Sequence, residues 1–418
     1  MGRTDGSCAS VTETTLDNGL RVLTDSRPDT RSVVLSIWLD RGARDEPAAM
    51  AGATHLLEHL LFRAGPHRSG AELARAVDAV GGDLDATTSR EHVVFHVTVP
   101  ASATEVALSC LAEVAMQAGF GHSDLEAERR VVLEELRASV DDHAETAHSA
   151  LSEALFGHHA LSREILGSQS TLDELTVPCL EAHHAAMVHP ERVVVAAAGR
   201  IDHLALCQWI DGHRVEGPAG SFERRQVPSE RACARTESRR VTEQAHVEVG
   251  VRGLEHGHAD RFVLAVADHL LGGGPSSRLF RDIREERGLA YDTWSTTETY
   301  TDAGVWACGA ATAPHQAELV EGLLRDHLER LATDGPTSDE VADARGYLSG
   351  VTELALERNG ARAMRLAAGA LYLGGVPDLD EELAALARVR PADVQRVAAT
   401  LLGSAGPAGP SASLVLPG

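Results

Sequence analysis

Residues Val33 to Leu39 alternate cleanly, with Val34, Ser36 and Trp38 on one side and Leu35, Ile37 and Leu39 on the other. That period of two predicts a strand. Helical spacing follows over about Met50–Phe62 and Gly70–Val80, and Gly81-Gly82 then breaks the pattern. Two strands are expected near Asp83–Thr87 and His92–Val99. Long 3.6-period segments cover about Thr104–Ala118, Asp124–Val140, His143–Phe156 and Thr171–Met187, before a short apolar strand at Val193–Ala198.

The second half repeats this order. A strand is expected near His246–Val251, a helix over Asp260–Leu271, a break at glycines 272–274 and a helix over Ser277–Arg287. Strands near Ala290–Thr296 and Val305–Ala311 precede helices at His315–Ala332, Ser338–Leu356 and Ala361–Tyr372. The reading is α+β, with two similar domains, each a mixed sheet covered by helices. Between them the chain is rich in Arg, Glu, Pro and Gly and lacks periodicity, which suits a linker. The expected division is an N-terminal domain over 1–215, a linker over 216–240 and a C-terminal domain over 241–418. The tail Gly403–Ser413 reads as loose, with a short last strand at Leu414–Leu416.

A chain of 418 residues is too long for one ordinary core, in keeping with two domains. Aromatics make up only 4%, so Leu, Val and Ala must fill the interior. The formal charge of −24 repels nucleic acid and anionic membrane; it can attract basic peptides into a cleft, although acidic charge more often serves solubility alone. Six cysteines (Cys8, Cys110, Cys179, Cys207, Cys233 and Cys308) form no Cys-x-x-Cys pair and read as reduced thiols. Met1–Gly6 lacks an apolar signal core and no apolar run reaches membrane-spanning length, so a cytoplasmic location is expected.

The candidate chemistry lies in His55-Leu56-Leu57-Glu58-His59. Histidines four apart on a helix project from one face and can hold one metal ion. Glu58 can point to the same spot, in the inverted order of the zinc-protease string. A catalytic zinc takes three protein ligands, so a third must come from elsewhere. The best source is Ser123–Leu136, where Ser123 and Glu126 fit a capping box. Glu128 and Glu135 lie two turns apart on one face there, and Glu134 is rotated about 100° from Glu135. Alone, any of these glutamates reads as a solvated helix carboxylate. Most of the 21 histidines show no partner spacing. Gly272–Gly274 is followed by no phosphate-loop residues and reads as a loop beside a cleft.

These blocks resemble the pitrilysin/insulinase family of zinc peptidases (inverzincins), and most of all its half-length members related to mitochondrial processing peptidase. Gly42-Ala43-Arg44-Asp45-Glu46 is similar to the family's Gly-Ser-Arg-Asp-Glu loop, and His55–Phe62 to its zinc helix. Gly81-Gly82-Asp83-Leu84-Asp85-Ala86 resembles its Gly-Gly-x-x-Asn-Ala strand, and Glu128–Leu136 its Glu-Arg-x-x-Val-(Ile/Val)-Leu-Glu-Glu-Ile run. The resemblance implies that Glu135 is the third zinc ligand and Glu128 a carboxylate that orients the site. Leu271–Phe280 and Ile283–Tyr291 match the family's second half and imply that Arg284 and Tyr291 reach the substrate carbonyl and backbone. The departures are Asp85 for Asn, a lost Thr near Val93 and Ala64-Gly65-Pro66 for Gly-Thr; all spare the metal residues and touch the substrate strand.

The resemblance implies a zinc metalloendopeptidase in which Glu58 carries the proton and Tyr291, with Arg284, meets the carbonyl oxygen. The peptide is expected to add as a strand near Asp83–Thr87. A half-length chain implies a closed chamber made by two chains, a homodimer by default or a heterodimer with a related chain. Leader-peptide removal and general oligopeptide turnover both suit it. The competing reading is a non-catalytic partner subunit of a processing peptidase; such subunits have a degraded metal string, whereas here the string is intact.

Overall fold

The computed structural model describes residues 11–213, 225–229, 234–406 and 409–418. The N-terminal half runs β1 (Val11–Thr15), β2 (Arg21–Ser26), β3 (Ser32–Leu39), α1 (Ala53–Arg63), α2 (Gly70–Asp78), β4 (Asp83–Thr88), β5 (Val93–Pro100), α3 (Thr104–Met116) and α4 (His122–Asp141). It continues with α5 (His143–Phe156), α6 (Gln169–Glu174), α7 (Val177–Met187), β6 (Val193–Gly199) and α8 (His203–Gly212). The C-terminal half runs β7 (Arg235–Arg240), β8 (Ala245–Arg252), α9 (Arg261–Gly272), β9 (Ala290–Thr299), β10 (Gly304–Thr312) and α10 (Ala317–Thr333). It ends with α11 (Ser338–Ala355), α12 (Asn359–Tyr372), α13 (Leu379–Ala387), α14 (Pro391–Ser404) and β11 (Ser411–Pro417).

Two compact units result, and neither is a contiguous half of the chain. The first takes 11–136, 164–213 and 354–376; the second takes the remaining described residues, including 137–163. In the first, the sheet order is β1-β2-β6-β3-β5-β4, antiparallel except for β2 beside β6. Both faces of β3 are buried. Val33, Leu35, Ile37 and Leu39 join a core with α1 and α3, while Trp38 packs against Leu366 and Ala367 of α12. That double burial explains why β6 (Val-Val-Val-Ala-Ala-Ala-Gly) is an apolar run without alternation. β4 is the outer strand and, among the described residues, pairs only with β5.

The second unit has sheet order β7-β11-β8-β10-β9, with β7 and β11 parallel. Helices α9, α10 and α14 bury one face of it. The other face receives α5, through Leu151, Leu155 and Phe156 against Val305 and Ala307. Each sheet is therefore covered on one face by a helix from the other half of the sequence, α12 on the first and α5 on the second.

Several expectations need correction. The single helix over Thr171–Met187 is two, α6 and α7, parted at Leu175-Thr176. Pro178 has no N–H and its ring would clash with the Glu174 carbonyl, so it sits in the first turn of a new helix. The expected helix over Ser277–Arg287 is a π-helical turn at Phe280–Glu286. Within the expected linker, 235–240 form β7, an edge strand of exposed charges that, among the described residues, pairs with β11 alone. Other parts of that linker, at 216–224 and 230–233, lie outside the described residues, as do Met1–Gly6, Cys8 and Cys233. Cys110, Cys179, Cys207 and Cys308 are free thiols. Among the described residues no helix is long and apolar enough to cross a membrane.

Candidate metal centre

Helix α1 carries the histidines because its two sides differ. Leu56, Leu57, Leu60 and Leu61 are all buried in the core. His55, Glu58 and His59 fall on the half-buried side. The helix start is held by the buried Glu46, whose carboxylate accepts from Gly52 N at 2.9 Å and Thr54 N at 2.6 Å. An anion at that end satisfies free N–H groups and suits the helix dipole. Gly52 has a φ of 92°, and a Cβ there would stand 2.6 Å from the Leu166 carbonyl oxygen.

Helix α4 buries Leu125 and Val132 in the same core and thereby turns Glu128 and Glu135 toward α1. It starts at His122, and the side-chain bond seen there is Gly121 N to Asp124 Oδ2 at 2.9 Å, rather than the expected Ser123/Glu126 box. Glu135 Oε2 lies 3.5 Å from His59 Nε2 and 3.8 Å from His55 Nε2. Ligands ~2.0–2.1 Å from a tetrahedral metal stand ~3.3 Å apart, so these atoms need only a few tenths of an ångström of adjustment. Among the described residues, this is the one group of three His, Cys, Asp or Glu side chains placed to hold a metal. Burial, and then His59, lower the pKa of His55 to about 4. Neutral imidazole is the metal-binding form, so the donor set fits a zinc ion.

Glu128 stands behind His59. Its Oε2 is 3.3 Å from His59 Nδ1, and its Oε1 accepts from the Arg63 guanidinium at 2.8 Å. Arg63 also reaches Asp124 Oδ1 at 3.2 Å. A carboxylate on the far nitrogen fixes ring orientation and leaves Nε2 for the metal. Glu58 accepts a hydrogen bond from Thr88 Oγ1 at 2.5 Å. Burial raises its pKa, and the Thr88 bond and His59 act against that, while Asp85 and Glu135 add to it. A cavity of about 670 Å³ opens beside Glu58 and His59, walled by Phe62 and Leu84 and by the charged Arg63, Asp85, Asp124 and Glu128.

The structure thus brings His55, Glu58, His59, Glu128 and Glu135 together in the first unit. Arg284 and Tyr291 form a separate pair in the second. The Arg284 guanidinium stacks 4.5 Å from the Phe280 ring and 4.8 Å from the Tyr291 ring, and Tyr291 is 77% exposed. Thr88 and Arg63 have no place in the sequence reading, and Glu46 enters it only as the end of the Gly42–Glu46 loop, without a role. Their only signal was position, at the end of β4, one turn after His59 and in the loop before α1.

Known proteins resemble the chain in both halves. Residues 21–169 match the family described as Insulinase (Peptidase family M16), and residues 174–348 match Peptidase M16 inactive domain. An uncharacterized zinc protease of Streptomyces coelicolor is 36% identical over 94% of this chain and 88% of its own. The uncharacterized zinc protease YmxG of Bacillus subtilis is 32% identical over 88% of this chain and 90% of its own. Among solved structures, a peptidase M16 inactive domain from Pseudomonas fluorescens superposes with a TM-score of 0.90 at 20% identity, covering 98% of each chain. A protease from Helicobacter pylori gives 0.90 at 19% identity, covering 97% of this chain and 99% of its own. These last two likenesses speak to the fold alone. With both halves matched in order, and relatives above 30% identity along nearly the whole length, the chain belongs to peptidase family M16, the insulinase family.

Proposed function

We propose that this chain is a zinc metalloendopeptidase that cleaves peptides or unfolded oligopeptide segments, leader segments included. The observation that carries the reading is that the Glu58 carboxylate shares one side of α1 with the His55/His59/Glu135 group while Thr88 holds one of its oxygens. Relatives named zinc proteases support the metal. His55 Nε2, His59 Nε2 and Glu135 Oε2 are the proposed ligands, and Glu128 steadies His59 from behind. Bound zinc supplies a water acidified toward pKa ~7 and a Lewis acid for the scissile carbonyl.

The chain's own residues do the remainder. Glu58 takes the proton from the attacking water on its carboxylate and delivers it to the leaving amine nitrogen. The peptide pairs with the outer strand β4, whose free backbone edge reads no sequence. Tyr291 donates its hydroxyl proton in a hydrogen bond to the carbonyl oxygen as charge builds there, with Arg284 beside it. Two chains, of one kind or of related kinds, close the chamber. A non-catalytic subunit is the weaker reading, because the intact group of three and Glu58 are what such a subunit can lose. Zinc analysis coupled to a peptide-library digest, with the chain alone and with any co-purifying partner, tests the proposal. One zinc per chain with internal peptide cleavage is expected; bound zinc without cleavage by either preparation would favour the non-catalytic reading.

A further inference from the structure

Thr88 is the last residue of β4, on the strand side that faces α1 together with Leu84 and Ala86. Its hydroxyl donates to Glu58 Oε2 at 2.5 Å. The placement of that hydroxyl is over-determined. The turn after Thr88 is closed by Ser89 N to the His92 carbonyl at 2.8 Å, and by His92 N to Ser89 Oγ at 3.0 Å. The run Gly42–Glu46 then pins the turn from outside. Ala43 N donates to the Ser89 carbonyl at 3.0 Å and Arg44 N to the Arg90 carbonyl at 2.7 Å. Arg44 and Glu91 form an ion pair at 2.5 Å, with side chains only 2% and 3% exposed. Gly42 lies so close to the turn that a Cβ would meet the Ser89 carbonyl oxygen at 2.4 Å.

The same five residues end in Glu46, whose carboxylate holds the first turn of α1. One short loop therefore fastens both the turn that follows Thr88 and the start of the helix that carries Glu58. A buried ion pair is a costly way to hold a loop, and its best-attested return is a fixed geometry. Here the geometry being fixed is the approach of a strand-end hydroxyl to a helix carboxylate.

We propose that Thr88 is a positioning residue that locks the Glu58 side chain in its reactive rotamer, with the Gly42–Glu46 loop as the bracket that sets the distance. With Oε2 held by Thr88, Oε1 is the oxygen presented to the attacking water. A carboxylate free to rotate spends only part of its time aligned, and misalignment of a reacting group lowers the rate of the chemical step rather than ground-state binding. The role rests on the peptidase reading of the same centre.

The test compares Thr88→Val, which keeps the shape and loses the hydroxyl, with Thr88→Ser, which keeps the hydroxyl and loses a methyl group. Zinc stoichiometry, melting temperature, kcat and KM on a fluorogenic peptide, and a crystal structure are measured for each. Thr88→Val should hold a full zinc complement and melt close to the parent, with kcat ~10–100-fold lower and KM within ~2-fold. Its structure should show the Glu58 carboxylate rotated or split between conformers. Thr88→Ser should recover kcat to within ~3-fold of the parent. Unchanged kcat in Thr88→Val, or equal loss in Val and Ser variants, would overturn the proposal. So would activity falling only in step with zinc or melting temperature. A parent that cleaves nothing would sink the peptidase reading instead, and the Glu58 conformation in the Thr88→Val crystal would then decide the positioning role alone.

Discussion

Glu134 and Glu135 are adjacent and chemically identical, yet they are expected to behave differently. Only Glu135 stands within 3.8 Å of both histidine Nε2 atoms. Glu135→Gln keeps size and removes the charged donor, so zinc affinity should drop by at least ~10–100-fold, whereas Glu134→Gln should leave it within ~2-fold. Calorimetric zinc titration of both variants checks this, and equal losses would remove Glu135 from the site. The pair also shows what residues in a sequence can say. Period alone put Glu128 and Glu135 on one face and Glu134 off it, but gave no reason to favour a metal over solvent. The family resemblance chose Glu135, and the position of α4 beside α1 then supplied the distances. Thr88 was not legible at all, because a threonine at a strand end is ordinary and only the fold reveals the carboxylate it faces.

At the scale of elements, the strands and helices with strong periods were readable. β3, α1, α9 and α10 lie close to where alternation or 3.6-residue spacing placed them. The reading also passed over β2, α8, α13 and α14, although each buries apolar residues; the other misses were polar or interrupted. β1 and β7 are edge strands with mostly exposed side chains, so no apolar pattern marks them. The α6/α7 break turned on one proline. Strand β4 carries one of the departures from the family pattern, Asp85 in place of Asn. Asp85 walls the cavity beside Glu58 with Asp124 and Glu128, against the single guanidinium of Arg63. That balance should favour a basic over an acidic side chain next to the scissile bond, and Asp85→Asn should reduce the Lys/Arg over Asp/Glu preference by about 2–5-fold. Matched peptide pairs assayed for kcat/KM decide it; an unchanged ratio would take Asp85 out of specificity.

For the whole molecule, the repeat of strand and helix order in the two halves was visible along the chain, but the exchange of α5 and α12 between sheets was not. Helices whose apolar faces suit either sheet carry no mark of which one they cover. The proposed route to function needs both halves, since Arg284 and Tyr291 lie far from the metal residues in sequence. Tyr291→Phe removes only the hydroxyl from a 77% exposed ring, so folding and zinc content should be untouched while kcat falls ~10–1000-fold. Steady-state kinetics on the zinc-loaded variant would show this, and an unchanged kcat would confine the second half to shaping the chamber.

The central claim is that Glu58 moves the proton at a centre held by His55, His59 and Glu135. It is tested most directly by Glu58→Gln, with zinc content and peptide turnover measured on the same preparation. The expected result is one zinc per chain, a melting temperature close to the parent and turnover lower by several orders of magnitude, at or beyond the ~10²–10⁴-fold typical of one general base because Glu58 serves as both base and acid. Near-parental turnover in a fully metallated, contaminant-free Glu58→Gln protein would contradict it.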